Sequence, residues 1–206
     1  RCLFYFTKME ISILKSIADT FNDSVYVYNG DQIQKQYSRL KNAFCGVEKL
    51  QINYACKALS NISILGLMNS MGTGLDTVSI QEVQLGIKAG FNPKKIIFTP
   101  NGVSMYEIEK VASLGVQINI DNLSVMEQFG SKHPEIPVCI RINPHVMAGG
   151  NSNISVGHID SKFGISIHQI PHVIRIVENT KMHINGVHMH TGSDILDIEV
   201  FLHAAE

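Results

Sequence analysis

Short β-rich runs alternate with helical segments from Gln51 onward, and this alternation limits the possible folds more than any other feature of the chain. Repeated βα units of this kind build a parallel sheet. The predicted strands are mostly apolar, as expected for strands covered on both faces. These six strands are residues 52–56, 75–78, 95–98, 117–120, 138–142 and 184–189.

Capping residues mark the helices between these strands. Ser79 with Glu82 forms a predicted capping box ahead of one helix, and Ser104 with Glu107 repeats the pattern ahead of the next. Pro171 is placed where the first turn of a helix tolerates it. The predicted helices are residues 32–45, 80–89, 105–114, 122–131 and 168–178.

The spacing of the strands predicts an α/β fold of the (βα)8 TIM-barrel type. One βα unit occupies about 26 residues, so eight units would need roughly 210 residues beyond Gln51, in line with the ~250 of a closed barrel. About 155 residues remain there, enough for about six units. Because an unclosed barrel leaves strand edges unpaired, and the sequence begins with Arg1 rather than Met, we expect a truncated barrel from a longer enzyme.

Composition points to a small-molecule partner. The chain has 17 Lys and Arg residues against 18 Asp and Glu, a net charge of -1, and no run of basic residues. Neither a nucleic acid nor an anionic membrane is therefore an expected partner. The apolar stretch at residues 62–68 is far shorter than the ~20 residues of a membrane span. Widely spaced cysteines without a C-x-x-C pair fit a reducing cytoplasm.

In a barrel of this type, reactive groups stand at the C-terminal ends of the strands. Lys57 ends an otherwise apolar predicted strand, and desolvation there would favour the neutral amine that forms a Schiff base. A lysine whose amine simply extends to solvent is the alternative. The polar residues at the predicted strand ends are Lys57, Asp76, Asn101, Asp121, Arg141, Asn143, His188, His190 and Ser193.

His188 and His190 lie on one face of the last predicted strand, because residues i and i+2 of a strand share a face. This spacing occurs in metal sites, but few other metal-type ligands stand at the strand ends, so no metal is predicted. A histidine bonded to a carbonyl in the core is the alternative. Residues 191–193 form a small-residue turn that opens a helix, and a helix start suits a phosphate.

Five motifs in order along the chain resemble the diaminopimelate decarboxylase family, pyridoxal-phosphate enzymes of the alanine racemase-like barrel fold group. The resemblance runs from about Val25 to the end of the sequence. Five ordered motifs are far more specific than any one of them. They are Tyr54-Ala55-Cys56-Lys57-Ala58, Gly74-Leu75-Asp76-Thr77-Val78-Ser79 with Glu82, Arg141-Ile142-Asn143-Pro144, Asp160-Ser161-Lys162-Phe163-Gly164 and Gly186-Val187-His188-Met189-His190-Thr191-Gly192-Ser193.

The resemblance implies a role for each matching residue. Lys57 would hold pyridoxal 5'-phosphate covalently and His190 would pack against its ring, and these two are the expected catalytic residues. Ser193 would bind the phosphate and Arg141 would lie near the phenolic oxygen. Asp76 would lie near the imine, with Glu82 a further candidate there. The expected cofactor-binding residues are thus Lys57, Asp76, Arg141, His190 and Ser193.

The resemblance also implies a domain organisation. Residues 1–30 would form an N-terminal segment whose alternating stretch 24–29 supplies a strand to a C-terminal β domain, and residues 31–206 would form a partial pyridoxal-phosphate barrel. The family's glycine-rich phosphate loop, the acid that pairs with the pyridine nitrogen and a Cys-containing substrate motif would all follow Glu206. The 206-residue segment alone is therefore expected to bind cofactor poorly and not to turn over.

The expected activity is decarboxylation of meso-2,6-diaminopimelate to L-lysine and CO2, and family members are commonly homodimers. One alternative is another decarboxylase of the group, acting on ornithine, arginine or carboxynorspermidine. A second is a non-catalytic carrier that stores pyridoxal phosphate on Lys57. A third, a metal-dependent hydrolase barrel, is disfavoured because its H-x-H normally ends the first strand. The loop 143–163, rich in Gly and Asn, is a candidate functional loop.

Overall fold

The computed structural model describes residues 10–22, 24–146, 163–192 and 195–205. The chain divides into two units, residues 1–52 and residues 53–206. The first unit contains helices α1 (Ile11–Phe21) and α2 (Gly30–Ala43). The Asn29 side chain accepts a hydrogen bond from the Gln32 backbone N–H and caps α2, which therefore starts two residues before the predicted position.

Residues 24–29, predicted to be a strand of a second domain, form neither helix nor strand in the described chain. Their assignment to a C-terminal β domain stays a prediction. Helix α1 was not predicted from the sequence. Most of the candidate loop 143–163 lies outside the described residues. Among the residues that are described, no helix combines the length and apolar character that a bilayer crossing requires.

The second unit is built on one sheet. All six predicted strands are present, and a two-residue strand that the sequence did not reveal follows the fifth. The strands are β1 (Asn53–Ala55), β2 (Gly74–Thr77), β3 (Ile96–Phe98), β4 (Gln117–Ile120), β5 (Val138–Asn143), β6 (Ile165–Ser166) and β7 (Ile184–Met189).

Every pairing in this sheet is parallel. The strands follow in chain order from β1 to β5, and β5 then pairs with both β6 and β7. The sheet is not closed into a full barrel, because within the described chain β1 pairs only with β2 and β7 only with β5. The fold is therefore the predicted α/β parallel barrel, present in part.

In the described chain, a helix lies between each pair of successive strands from β1 to β5 and between β6 and β7, and a last helix follows β7. Asn61, Ser79 and Asn122 cap the helices that begin at Ile62, Ile80 and Leu123, and Ser104 with Glu107 closes the predicted capping box of the helix that begins at Met105. The first of these helices forms where the sequence showed only an apolar stretch. The helices of this unit are α3 (Ile62–Ser70), α4 (Ile80–Lys88), α5 (Met105–Ala112), α6 (Leu123–Lys132), α7 (Ile170–Thr180) and α8 (Glu199–Ala205).

The core of this unit lies between the sheet and the helices. Apolar strand residues such as Leu75 and Phe98 are fully buried, and so are Val83 in α4 and Met126 in α6. Burying one such side chain contributes roughly 1.5–3 kcal/mol. The parallel strands thus run through an apolar interior.

Gly86→Ala is expected to lower the free energy of unfolding by about 1–3 kcal/mol, because the added methyl group would overlap the fully buried Leu75 side chain. Gly66→Ala is the matched control. The Gly66 position, in α3, has open space around it, so alanine there should raise the free energy by about 0.5–1 kcal/mol. Urea unfolding of the full-length protein measures both changes. Equal effects of the two substitutions would contradict the packing of α4 on β2.

Candidate active site

A cavity of about 420 Å³ lies at the C-terminal ends of the strands. Its size is within the 300–1,000 Å³ typical of small-molecule sites. The residues that line it come from after β1, β2, β3 and β7, from β5 itself, and from the segment before β6. They are Lys57, Val78, Thr99, Asn101, Arg141, Phe163 and His190.

Lys57 lies in a short 3-10 turn, Cys56–Ala58, that follows β1 directly. The Tyr54 hydroxyl donates a hydrogen bond of 3.1 Å to the Leu59 carbonyl and fastens the far end of this turn to the strand. Beneath it, burial and the neighbouring carboxylates raise the pKa of the Cys56 thiol to about 11, so this cysteine is an inert core residue. The Lys57 side chain is exposed while it lines the cavity, so of the two interpretations left open by the sequence the described residues favour an amine that reaches solvent.

Arg141 brings a buried positive charge to the cavity wall. Burial lowers the pKa of its guanidinium, while the negative charges of Asp121 and Asp76 oppose that effect. The guanidinium carbon lies 5.0 Å from the centre of the Phe163 ring, within cation–π range. One face of the cation is therefore covered by an aromatic ring.

Gly164 explains how Phe163 reaches Arg141. Its φ of +85° is a conformation that side chains disfavour, and a Cβ would lie 3.0 Å from the Asn143 nitrogen and 3.1 Å from the Ile142 carbonyl carbon. Glycine alone thus lets the chain approach the end of β5 this closely. The Phe163–Gly164 part of the predicted motif is placed beside the cavity, while residues 160–162 lie outside the described residues.

The two histidines differ in their exposure to the cavity. His190 follows β7 and lines the cavity, whereas His188 lies within β7 and its buried Nδ1 has no hydrogen-bond partner among the described residues. Burial, Arg141 and His190 lower the pKa of His188 from 6.5 to about 4. Burial, Arg141 and Lys57 also lower the pKa of His190. Both rings are therefore neutral at neutral pH.

Asp76 lies beside the cavity rather than in its wall. Its Oδ1 accepts a hydrogen bond of 2.9 Å from the Thr99 hydroxyl, and Thr99 does line the cavity. The pKa of Asp76 is raised, first by burial and also by the charge of Glu82, while the Thr99 hydrogen bond, Lys57 and Arg141 each lower it. These opposing effects show that Asp76 lies within electrostatic range of both cations.

Glu82 has a local role in the structure. Its carboxylate accepts a hydrogen bond of 2.8 Å from the Val78 backbone N–H, and the Ser79 hydroxyl accepts one from the Glu82 N–H. The Ser79 cap of α4 is therefore as predicted, but the capping box is not complete, because the Glu82 carboxylate bonds the Val78 N–H rather than the Ser79 N–H.

Three of the five predicted cofactor-binding residues, Lys57, Arg141 and His190, meet at this cavity. Asp76 lies next to it, and Ser193 lies outside the described residues. Thr99, directly after β3, was missed, although the rule that selected Asn101 from the same strand end would also have selected Thr99. No group of three or more metal-type side chains occurs among the described residues.

The fold and the site together define a class of protein, a parallel (βα)8 barrel, present in part, with a lysine and an arginine in a cavity at its strand ends. The family model for pyridoxal-dependent decarboxylase, pyridoxal binding domain, matches residues 30–206. The chain therefore belongs to the pyridoxal-dependent decarboxylase family. This match covers all of the sequence except the first 29 residues and starts at the first residue of α2.

Diaminopimelate decarboxylase from Methanothermobacter thermautotrophicus is 35% identical over 192 residues, which are 92% of this chain and 45% of that protein. The crystal structure of diaminopimelate decarboxylase from Helicobacter pylori complexed with L-lysine superposes with a TM-score of 0.80 at 32% identity, over 92% of this chain and 50% of that one. Lysine/ornithine decarboxylase from Vibrio vulnificus, at 22% identity over 95% of this chain and 49% of that one, shares the fold with a TM-score of 0.79. The chain spans about half the length of the curated relatives it matches.

Pyridoxal phosphate is the cofactor of this family, and the cavity fits it. Among the described residues, the lining contains two cations, Lys57 and Arg141, and no carboxylate, which suits a phosphate ester and a phenolic oxygen. The neutral imidazole of His190 offers a flat surface for an aromatic ring. A lysine amine at the wall supplies the group that an aldehyde needs for covalent attachment.

His188→Gln is expected to make stability less dependent on pH. The folded-state pKa of about 4 lies below the ordinary 6.5, so on acidification the unfolded chain takes up the proton first and stability falls between those two values. The variant lacks the imidazole that takes up this proton, so its free energy of unfolding should fall less between about pH 7 and about pH 5. Urea unfolding of the full-length protein at both pH values measures the difference.

His183→Gln, at an exposed position just before β7, is the control and should behave as the natural chain does. An unchanged pH dependence in His188→Gln would show that His188 is not held neutral by the fold.

Proposed function

We propose that the full-length protein is a diaminopimelate decarboxylase, which converts meso-2,6-diaminopimelate to L-lysine and CO2 with pyridoxal phosphate. The observation that supports this most is the meeting of Lys57, Arg141 and His190 at one cavity of the family's barrel. The curated relatives with 30–35% identity are named diaminopimelate decarboxylase. The arginine decarboxylase and lysine/ornithine decarboxylase structures, at 19% and 22% identity, support the fold alone.

Lys57 is proposed to hold the cofactor covalently through its Nζ and to yield this position to the amino group of the substrate. The turn that contains Lys57 is fastened to β1, so the backbone of Lys57 is held at the cavity wall. Its exposed side chain can still move. Pyridoxal phosphate, when bound, supplies an electron-accepting ring that stabilises the negative charge left as CO2 departs. The protein then supplies orientation and the exclusion of water.

His190 and Arg141 are proposed to set that orientation. A neutral imidazole packs flat against an aromatic ring without adding a charge, and the low pKa of His190 supports this role. Arg141 is held by Phe163 on one side and lies near two carboxylates, so its charge can bind the phenolic oxygen at a fixed position. Asp76 is proposed to influence the imine from beside the cavity, and Ser193 to bind the phosphate.

The assembly and location of the protein are further proposals. A homodimer is proposed because members of the family commonly form one. A cytoplasmic location is proposed because Cys45, Cys56 and Cys139 are all free thiols in the described chain, as a reducing compartment favours.

Lys57→Ala in the full-length protein is expected to abolish covalent attachment of pyridoxal phosphate and to reduce CO2 release from diaminopimelate by on the order of 10³-fold or more. Borohydride reduction followed by peptide mass spectrometry locates the attached cofactor, and CO2 release measures activity. The natural chain should carry the label on the peptide containing Lys57.

Lys88→Ala, an exposed lysine at the end of α4, is the matched control and should retain label and activity. A label on another lysine in the natural chain would contradict the proposed role of Lys57. Faster CO2 release from ornithine or arginine than from diaminopimelate would contradict the proposed substrate. Binding without any CO2 release would favour the carrier hypothesis instead.

A further inference from the structure

Three polar side chains form a hydrogen-bonded row beside the cavity, across three neighbouring strands. Asp76 lies in β2, Thr99 directly follows β3, and Asn119 lies in β4. The Asn119 Nδ2 donates to the Thr99 Oγ1 at 3.0 Å, and the Thr99 Oγ1 donates to the Asp76 Oδ1 at 2.9 Å. Parallel pairing of these strands brings together side chains that are 20 to 23 residues apart in sequence.

The row has a fixed direction. An amide nitrogen only donates, so the Thr99 hydroxyl must act as acceptor towards Asn119. The hydroxyl has a single proton, and the bond from Asn119 leaves that proton to be donated to Asp76. A carboxyl oxygen that accepts such a bond is favoured in its ionised form.

Burying Asn119 costs free energy, because its side chain leaves a polar oxygen unpaired in the interior. Thr99 is 6% exposed and Asn119 is 4% exposed, and the Asn119 Oδ1 has no partner among the described residues. An apolar side chain at position 119 would avoid leaving a carbonyl oxygen unpaired in the interior. The bond that Asn119 donates to Thr99 is what an apolar residue could not supply.

The groups around Asp76 have opposite effects on its pKa. Burial and the charge of Glu82 disfavour its negative charge, whereas Lys57 and Arg141 favour it. The neighbouring Cys56 does not stabilise the Asp76 carboxylate, because its thiol carries no positive charge. The negative charge of Asp76 is instead one of the causes that raise the pKa of Cys56. The Thr99 hydrogen bond is the largest of the effects that lower the pKa of Asp76.

We propose that Thr99 and Asn119 are positioning residues that keep Asp76 ionised and fixed as the counter-charge to Lys57 and Arg141. Both cations line the cavity, so the charge state of Asp76 affects how the site receives an anionic ligand. Neither Thr99 nor Asn119 is a predicted site residue, and neither has a role in the function proposed for the site. This inference rests on the proposed function because one arm of its test uses pyridoxal phosphate.

The first measurement is a pH titration of the Asp76 carboxyl in the full-length protein, by infrared difference spectroscopy against Asp76→Asn. Thr99→Val keeps the side-chain shape but lacks the donor, so the midpoint should move to higher pH by about one unit. Thr99→Ser restores a hydroxyl and should titrate as the natural chain does. Asn119→Leu should move the midpoint in the same direction as Thr99→Val but by less.

Thr73→Val is the matched control, because its buried hydroxyl bonds the Met68 carbonyl at the opposite end of β2 and its loss should leave the midpoint unchanged. An unchanged midpoint in both Thr99→Val and Asn119→Leu would overturn the proposal. So would a shift in Thr99→Ser as large as that in Thr99→Val. Either Thr99→Val or Asn119→Leu alone decides the question if the other fails to fold.

The second measurement is the affinity of the same variants for pyridoxal phosphate as a function of pH. Thr99→Val should shift the profile by the same amount as the infrared midpoint, and adding Thr99→Val to Asp76→Asn should change nothing further. An equal effect of Thr99→Val in both backgrounds would overturn the proposal. Failure of the natural full-length protein to bind pyridoxal phosphate would instead reject the proposed function, while the infrared titration still tests the role of Thr99.

Discussion

Parallel pairing of the strands is the constraint on which the site depends. Strands that run in the same direction end at the same edge of the sheet, so residues far apart in sequence are brought together there. Lys57 after β1, Arg141 in β5 and His190 after β7 meet in this way at a single cavity. The helices between the strands stabilise this arrangement, because they cover the apolar side chains of the sheet and exclude water from them.

Charge in the site is balanced by buried groups rather than by solvent alone. Arg141 is buried, lies 5.0 Å from the centre of the Phe163 ring and is within electrostatic range of the carboxylates of Asp121 and Asp76. The same arginine helps to keep His188 and His190 neutral, because a nearby positive charge disfavours the imidazolium form. One cation thus affects several groups, and the site presents two positive charges beside a flat neutral ring.

The sequence alone predicts the strands and the polar residues at their ends, because a lone Lys57 or Arg141 interrupts an apolar run at or near the end of a strand. It does not predict the hydrogen bond between Thr99 and Asp76, because these residues are 23 positions apart and meet only through the register of β2 with β3. The contact of Phe163 with Arg141 likewise depends on where the chain returns to β5 after a long loop. The exposure of Lys57 is a property of packing, which the apolar pattern around it did not reveal.

A crystal structure of the full-length protein with pyridoxal phosphate tests the central claim most directly. We expect continuous density from the Lys57 Nζ to the cofactor, with the imidazole of His190 stacked on the ring and Arg141 beside its phenolic oxygen. A cofactor attached to a different lysine, or bound away from His190, would contradict it.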